Sequence, residues 1–125
     1  MKFRLWDDDN CDFDYVNFDD LQQTLNTLDS YNNYFHSGYF KDNPEFIQMA
    51  TGHKDIKGNE IYQGDIIVVQ KHNLTDEQEK FEIVYSEDYC QYVGLSLKRN
   101  VYVDLMDLYK PEIIGNKLTH KNYTV

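Results

Sequence analysis

The chain has 125 residues, enough for a domain that buries roughly two thirds of its unfolded surface and folds without disulfide or metal staples. Its net charge of −10, from 12 Lys and Arg against 22 Asp and Glu, disfavours direct nucleic-acid binding, because a phosphate-binding face needs clustered cations and Lys98-Arg99 is the only adjacent basic pair. No apolar run approaches the roughly 20 residues that cross a bilayer, which excludes a transmembrane helix and leaves no membrane partner.

Lys2-Phe3-Arg4-Leu5-Trp6-Asp7 opens with polar and apolar residues in alternation, and Phe13 to Phe18 continues an extended aromatic pattern. Two strands are predicted there, with a solvated turn at Asp7-Asp8-Asp9-Asn10 between them. Asp19 or Asp20 then caps a helix that runs to about Leu28, with Leu21, Leu25 and Leu28 recurring on one face. From Ser30 to Asn43 the chain is rich in aromatic residues (Tyr31, Tyr34, Phe35, Tyr39, Phe40) without a period, and reads as an irregular loop ending at Pro44. Phe46 to Met49 reads as a short strand.

The second half is punctuated by turns. Lys54 to Asn59 supplies turn residues with Gly58 at positive φ, and Gly64-Asp65 opens the run Ile66-Ile67-Val68-Val69. Four branched apolar residues in succession predict a strand covered on both faces. Asn73 to Gln78 is a polar loop tip. Phe81, Ile83 and Tyr85 then share one face of a strand, and the alternation resumes over Tyr89 to Leu97 and Asn100 to Leu105, with Val101, Val103 and Leu105 facing one way. Glu112 to Asn116 is the last strand, and the tail beyond it adds another or frays.

Leu, Ile and Val number only 26, while Phe, Tyr and Trp add 19, so the core depends on rings that each bury about 150–250 Å². Eleven of these are tyrosines, whose hydroxyls favour core margins and contact surfaces. Acidity is concentrated at the start. Residues 1–20 hold seven aspartates against Lys2 and Arg4, a net of −5, and the net is −7 over residues 1–50 against −3 over residues 51–125.

Asp8, Asn10, Asp12 and Asp14, with Asp19 eleven positions after Asp8, have the oxygen rhythm of a calcium loop, but Phe13 stands where the sharp-turn glycine belongs and Asp19 replaces the bidentate Glu. They read as a solvated acidic turn, with no metal site. His36, His53, His72 and His120 have no tight metal-ligand spacing with Cys11 and Cys90, and two cysteines are too few for a disulfide scaffold, which points to a reducing cytoplasm. Cys90, within a strand pattern, reads as a small buried thiol. There is no phosphate loop, nucleophile elbow or paired-carboxylate motif, so no cofactor and no catalytic residue is assigned and enzymatic activity is unsupported. Asn73 and Asn122 are chance acceptor motifs.

The opening Lys2 to Asp7, the central stretch Thr51-Gly52-His53-Lys54-Asp55-Ile56-Lys57-Gly58-Asn59-Glu60-Ile61-Tyr62-Gln63-Gly64-Asp65-Ile66-Ile67 and the closing Ile113-Ile114-Gly115-Asn116 together resemble the YopX-like family of phages and prophages of Gram-positive bacteria. The Thr-Gly, the Lys-Asp turn, the Gly-x-x-Ile-Tyr-x-Gly-Asp run and the final Ile-Gly-Asn occur in the family's order. Lys117-Leu118 departs from the family's usual ending. The resemblance implies a fold and a phage setting, in the cytoplasm of the infected bacterial host. It implies no reaction, since the family has no established activity and no functional residues carry over.

The fold expected is α+β and mostly β, a small bent SH3-like or partly open β-barrel over residues 46–118. Residues 1–45, holding the first strands, the helix and the aromatic loop, pack on a barrel-like core of residues 46–125. Gly52, Asp55, Gly58, Tyr62, Gly64, Asp65, Gly115 and Asn116 serve bends and turn closures in this reading. The function expected is that of a non-enzymatic accessory protein binding a host or phage protein of basic character, with Asp7, Asp8, Asp9, Asp12, Asp14, Tyr31, Tyr34 and Tyr39 as the contact surface. Self-association through the same rings is a subsidiary expectation. The alternative is a barrel binding a small ligand or nucleic acid through residues 51–116, which needs Lys54, Lys57, Lys98 and Arg99 on one face.

Overall fold

A computed structural model describes residues 2–17, 19–31, 39–69 and 79–119. Of the described residues about 50% are strand and 19% helix, so the fold is α+β and mostly β as the alternating patterns predict. The chain divides into two compact units, Met1–Ala50 and Thr51–Val125.

In the first unit β1 (Lys2–Asp7) pairs antiparallel with β2 (Asp12–Asn17), Lys2 opposite Asn17 and Asp7 opposite Asp12. On its other side β1 pairs with the start of β3 (Ile47–Lys54), Phe3 opposite Met49 and Leu5 opposite Ile47. Because side chains alternate across a strand, Phe3, Leu5 and Val16 share a face, and they form a core with Tyr31, Phe40, Leu28 and Phe46. Each such side chain contributes about 1.5–3 kcal/mol through burial. The predicted strand at Phe46 begins one residue later, because Pro44, with its φ preset for a first helical position, opens a 3₁₀ turn over Pro44–Phe46.

Helix α1 spans Leu21–Ser30, and its N-cap is Asp20, whose carboxylate accepts from the Gln23 amide at 3.0 Å. The leucine periodicity misidentifies its buried side. Leu21 and Leu25 are 66% and 52% exposed, whereas Thr24 is buried. The Thr24 hydroxyl shares its proton between the carbonyls of Asn17 and Asp20, both at 2.9 Å, and so ties that side of the helix to the end of β2. Thr24, Leu28 and Tyr31, at i, i+4 and i+7, therefore face the sheet. Of the predicted aromatic loop, Tyr31 closes α1, residues 32–38 lie outside the described residues, and Tyr39–Asp42 forms a short helix, α2.

The second unit takes the end of β3, then β4 (Glu60–Tyr62), β5 (Asp65–Val69), β6 (Glu79–Ser86), β7 (Gln91–Ser96), β8 (Tyr102–Asp104) and β9 (Glu112–Asn116). Five of these strands form an antiparallel sheet in the order β8-β7-β6-β5-β9 that curls into a half-barrel. Every residue of β5 is buried, as its branched apolar run requires. A register shift between Ile66 and Ile67 leaves Ile114 as the extra residue of a bulge beside Gly115, which bends β9. The core comprises Ile61, Ile67, Val69, Phe81, Ile83, Leu105 and Leu108. Gly94 is closely packed: an added Cβ would lie 3.2 Å from both Leu108 Cδ1 and Phe81 Cδ1, so a side chain there requires one of them to shift.

Two expectations for this unit are corrected. The strand predicted to reach Leu105 stops at Asp104, whose carboxylate accepts from the Met106 amide at 3.1 Å and starts a 3₁₀ turn over Leu105–Asp107 that drops Leu105 into the core. Cys90 is an exposed turn residue at φ 52°, and β7 begins after it. Cys11 occupies the matching place in the β1–β2 turn at φ 53°. The polar loop at 73–78, the tail beyond Thr119, Asn122 and three of the four histidines, His36, His72 and His120, lie outside the described residues.

Candidate functional site

The central and closing motifs assemble as two carboxylate-centred closures in the second unit. Asp55 is buried, and its Oδ1 accepts from the amides of Lys57 at 3.0 Å and Asn59 at 2.8 Å, closing the tight turn that Gly58 completes at φ +83°. Its Oδ2 accepts from the amide of Ile113 in β9 at 3.2 Å, and the neighbouring Ile56 amide donates to the Pro111 carbonyl at 2.9 Å. Burial by itself raises the Asp55 pKa, but the amides of Asn59, Ile113 and Lys57 and the Asn59 side chain together outweigh it, leaving the carboxyl below its ordinary 3.8. Above the same turn Lys57 Nζ meets Glu112 Oε1 at 2.7 Å, which raises the lysine's pKa.

Asp65 forms the second closure. It is 2% exposed and accepts from the Tyr62 amide at 2.8 Å and from Asn116 Nδ2 at 3.2 Å, while Asn116 Oδ1 takes the Leu118 amide at 2.9 Å. Gly64 sits between these partners at φ +89°, its amide donating to the Ile83 carbonyl and its carbonyl accepting from Lys117. Tyr62 is buried, and Gly52 bends β3 at φ +86°. Of the motif residues, Gly52, Gly58 and Gly64 take positive φ, Gly115 lies beside the β9 bulge, and Asp55, Tyr62, Asp65 and Asn116 are buried.

The acidic hairpin of the first unit uses its carboxylates partly on itself. Asp7 accepts from the amides of Asp9 and Asn10 and from Asn10 Nδ2, Asp8 accepts from Trp6 Nε1, and Asp12 accepts from the Phe13 amide. Asp8, Asp9, Asp12 and Asp14 remain exposed. Among the described residues no group of three His, Cys, Asp or Glu side chains converges as metal ligands. On one face of this hairpin the Arg4 guanidinium stacks 4.1 Å over the Phe13 ring and donates to Gln48 Oε1, and Trp6 meets Phe13 edge-on at 4.8 Å.

The tyrosines proposed beside these aspartates do not share one fate. Tyr31 is 3% exposed, a core residue whose hydroxyl donates to Asp14 Oδ2 at 2.5 Å. Tyr34 lies outside the described residues, and Tyr39 opens α2. The exposed apolar groups of the first unit are instead Leu21, Leu25 and Tyr15. In the second unit Tyr85, Tyr89, Tyr102 and Met106 are exposed, with Tyr85 edge-on to Tyr92 at 5.2 Å. One signal was present for Tyr102: if Val101, Val103 and Leu105 face one way, Tyr102 faces the other.

Of the four cations needed for a nucleic-acid face, Lys57 is paired with Glu112, and Arg99 is held by both carboxylate oxygens of Glu79. No helix among the described residues is long and apolar enough to cross a membrane.

The chain belongs to the YopX family: the family model described as YopX protein matches residues 2–121. No curated protein matches the chain.

Proposed function

We propose that this YopX-family chain is a non-enzymatic, phage-type accessory protein that acts in the cytoplasm by binding another protein through the acidic surface of its first unit. The single observation that supports this reading is the outward leucine stripe of α1. Leu21 and Leu25 stand 66% and 52% exposed in a unit whose residues 1–50 carry a net charge of −7. A partner offering apolar side chains framed by Lys and Arg suits that surface: contact with the leucines supplies affinity, and the carboxylates at Asp8, Asp9, Asp12 and Asp14 speed and orient encounter. The ion pairs at Lys57 and Arg99 weigh against the nucleic-acid alternative.

Affinity capture from host lysate with the native chain and with a Leu21→Glu/Leu25→Glu variant tests the reading. The expected result is a partner retained by the native chain, released in about 1 M salt, where screening acts within about 3 Å, and absent from the equally folded variant. Retention of the same proteins by both chains at all salt concentrations contradicts it.

A further inference from the structure

We infer that β8 is a docking edge for an extended, cationic segment of another protein, which sets a β-branched residue against Tyr102 and an arginine or lysine beside Asp107. β8 is the terminal strand of the five-stranded sheet and pairs with β7, Gly94 opposite Val103 and Leu95 opposite Tyr102. The Ser96 amide donates to the Val101 carbonyl at 2.8 Å, so Val101 and Val103 turn their backbone groups toward β7. By the alternation of antiparallel pairing, Tyr102 directs its N–H and its C=O away from the sheet, and no hydrogen bond among the described residues reaches them. At the other end of the sheet β9 differs: Asp55 holds its Ile113 amide, and the Pro111 carbonyl just before it accepts from Ile56.

The side chains of β8 suit a strand laid beside it. It has neither the proline nor the lysine that commonly blunts an edge. Tyr102 is 63% exposed and the preceding Val101 41%. A residue directly opposite Tyr102 exchanges both backbone bonds with it and lays its own side chain on the same face, against the ring. In strand addition of this kind main-chain bonds give affinity and the alternate side chains give specificity.

Charge selects the occupant, counting only what the fold leaves unengaged. Arg99 is committed to Glu79, Lys98 is also engaged within the chain, and Lys110 Nζ lies over the Tyr109 ring at 5.3 Å. The Asp104 carboxylate accepts from Gln91 Nε2 at 3.2 Å and from the Met106 amide. Because Gln91 directly follows the β6–β7 turn, its bond sets that turn beside the Asp104 end of β8. The turn carries Glu87 and Asp88, and Asp107 lies three residues beyond the strand. All three are exposed, and their carboxylates enter no hydrogen bond or ion pair among the described residues. A second copy brings a net charge of −10 to this edge, whereas a cationic segment complements it. The edge is short, so the complex is weak and exchanges readily.

Fluorescence anisotropy tests this with a labelled, blocked peptide of two arginines followed by alternating valine and threonine, titrated with the full chain to about 1 mM, a range suited to weak association. Docked antiparallel, its N-terminal arginines reach the Asp104 end of β8, and saturable binding is expected. N-methylation of the valine amides abolishes it, because those residues face β8 with their backbone, and N-methylation of the threonine amides leaves it. Tyr102→Pro, tolerated on an edge whose N–H meets solvent, also abolishes it. Asp88→Lys/Asp107→Lys weakens it roughly tenfold, and Leu21→Glu/Leu25→Glu leaves it unchanged, which separates this surface from that of α1. Circular dichroism checks the fold of each variant, and the methylated peptides, which use the native chain, decide the matter should Tyr102→Pro not fold. No saturation over that range, equal binding of a peptide with glutamates in place of the arginines, or binding that survives valine methylation overturns the inference. So does self-association without peptide that Tyr102→Pro abolishes, since a second copy then holds the edge.

Discussion

Removing the Asp55 carboxylate is expected to unfasten β9 from a turn more than fifty residues earlier in the chain. In Asp55→Ala the amides of Lys57, Asn59 and Ile113 lose their acceptor at once. A buried donor left unsatisfied costs about 1–3 kcal/mol, and water replaces part of the loss at the more accessible Lys57 and Asn59 amides, so the three together amount to about 3–5 kcal/mol. That is a large share of the 5–15 kcal/mol (roughly) that stabilises an ordinary domain. Asp55→Asn keeps one acceptor oxygen and sets an NH₂ against a donor, for a loss of about 2 kcal/mol. The carboxylate also has a pH signature. Because its folded pKa lies below the ordinary 3.8, its contribution is complete above that value and is lost as pH falls through the folded pKa. The gap between native chain and Asp55→Asn should therefore be constant near neutrality and narrow in acid. Urea unfolding followed by circular dichroism gives the stability, and hydrogen exchange at the Ile113 amide reads the local contact. A loss below about 0.5 kcal/mol in Asp55→Ala, with Ile113 exchange unchanged, would refute the assignment of Asp55 as a closure.

Two further substitutions probe the two cores. Gly94→Ala places a methyl 3.2 Å from Leu108 Cδ1 and Phe81 Cδ1, and thermal unfolding should show a loss of about 1–3 kcal/mol from overpacking; a neutral or stabilising result means that Leu108 moves aside freely. Tyr31→Phe keeps the ring in the first core and deletes the hydrogen bond to Asp14, with an expected cost of about 1–2 kcal/mol in the same assay, and an unchanged melting temperature would show that water satisfies Asp14 equally well.

How much of this was legible depended on whether the physical cause was local. Gly58 declared positive φ because its turn residues precede a strong β pattern, and it adopts it; Gly64, read only as a turn, adopts it too. Asp19 or Asp20 declared the helix start because a short carboxylate before an apolar period has an amide to cap, and Asp20 is the one that caps it. The direction in which α1 faces was not local. It is set by one hydroxyl, Thr24, reaching back to β2, and the three leucines outvote a threonine in any periodicity. Cys11 and Cys90 were also opaque, since the left-handed position they fill is usually taken by glycine or asparagine. Asp104 broke a predicted strand because its side chain captured the amide two residues on, a choice its neighbours' alternation does not encode.

The two closures also bear on where function can reside. Asp55 and Asp65 each tie the central motif to β9, the first through the Ile113 amide and the second through the Asn116 side chain, so the Lys-Asp turn, the Gly-Asp turn and the terminal Ile-Gly-Asn are parts of one fastening. A carboxylate that already satisfies two or three buried donors is a poor candidate for a ligand, because each bond surrendered to a partner leaves an amide unsatisfied. Asp55 and Asp65 of the central motif therefore tie it to β9. Groups available for recognition are better sought among those the fold does not consume, such as the exposed Leu21 and Leu25 of α1. The partner is to be sought through the exposed surface of this chain rather than through its motif.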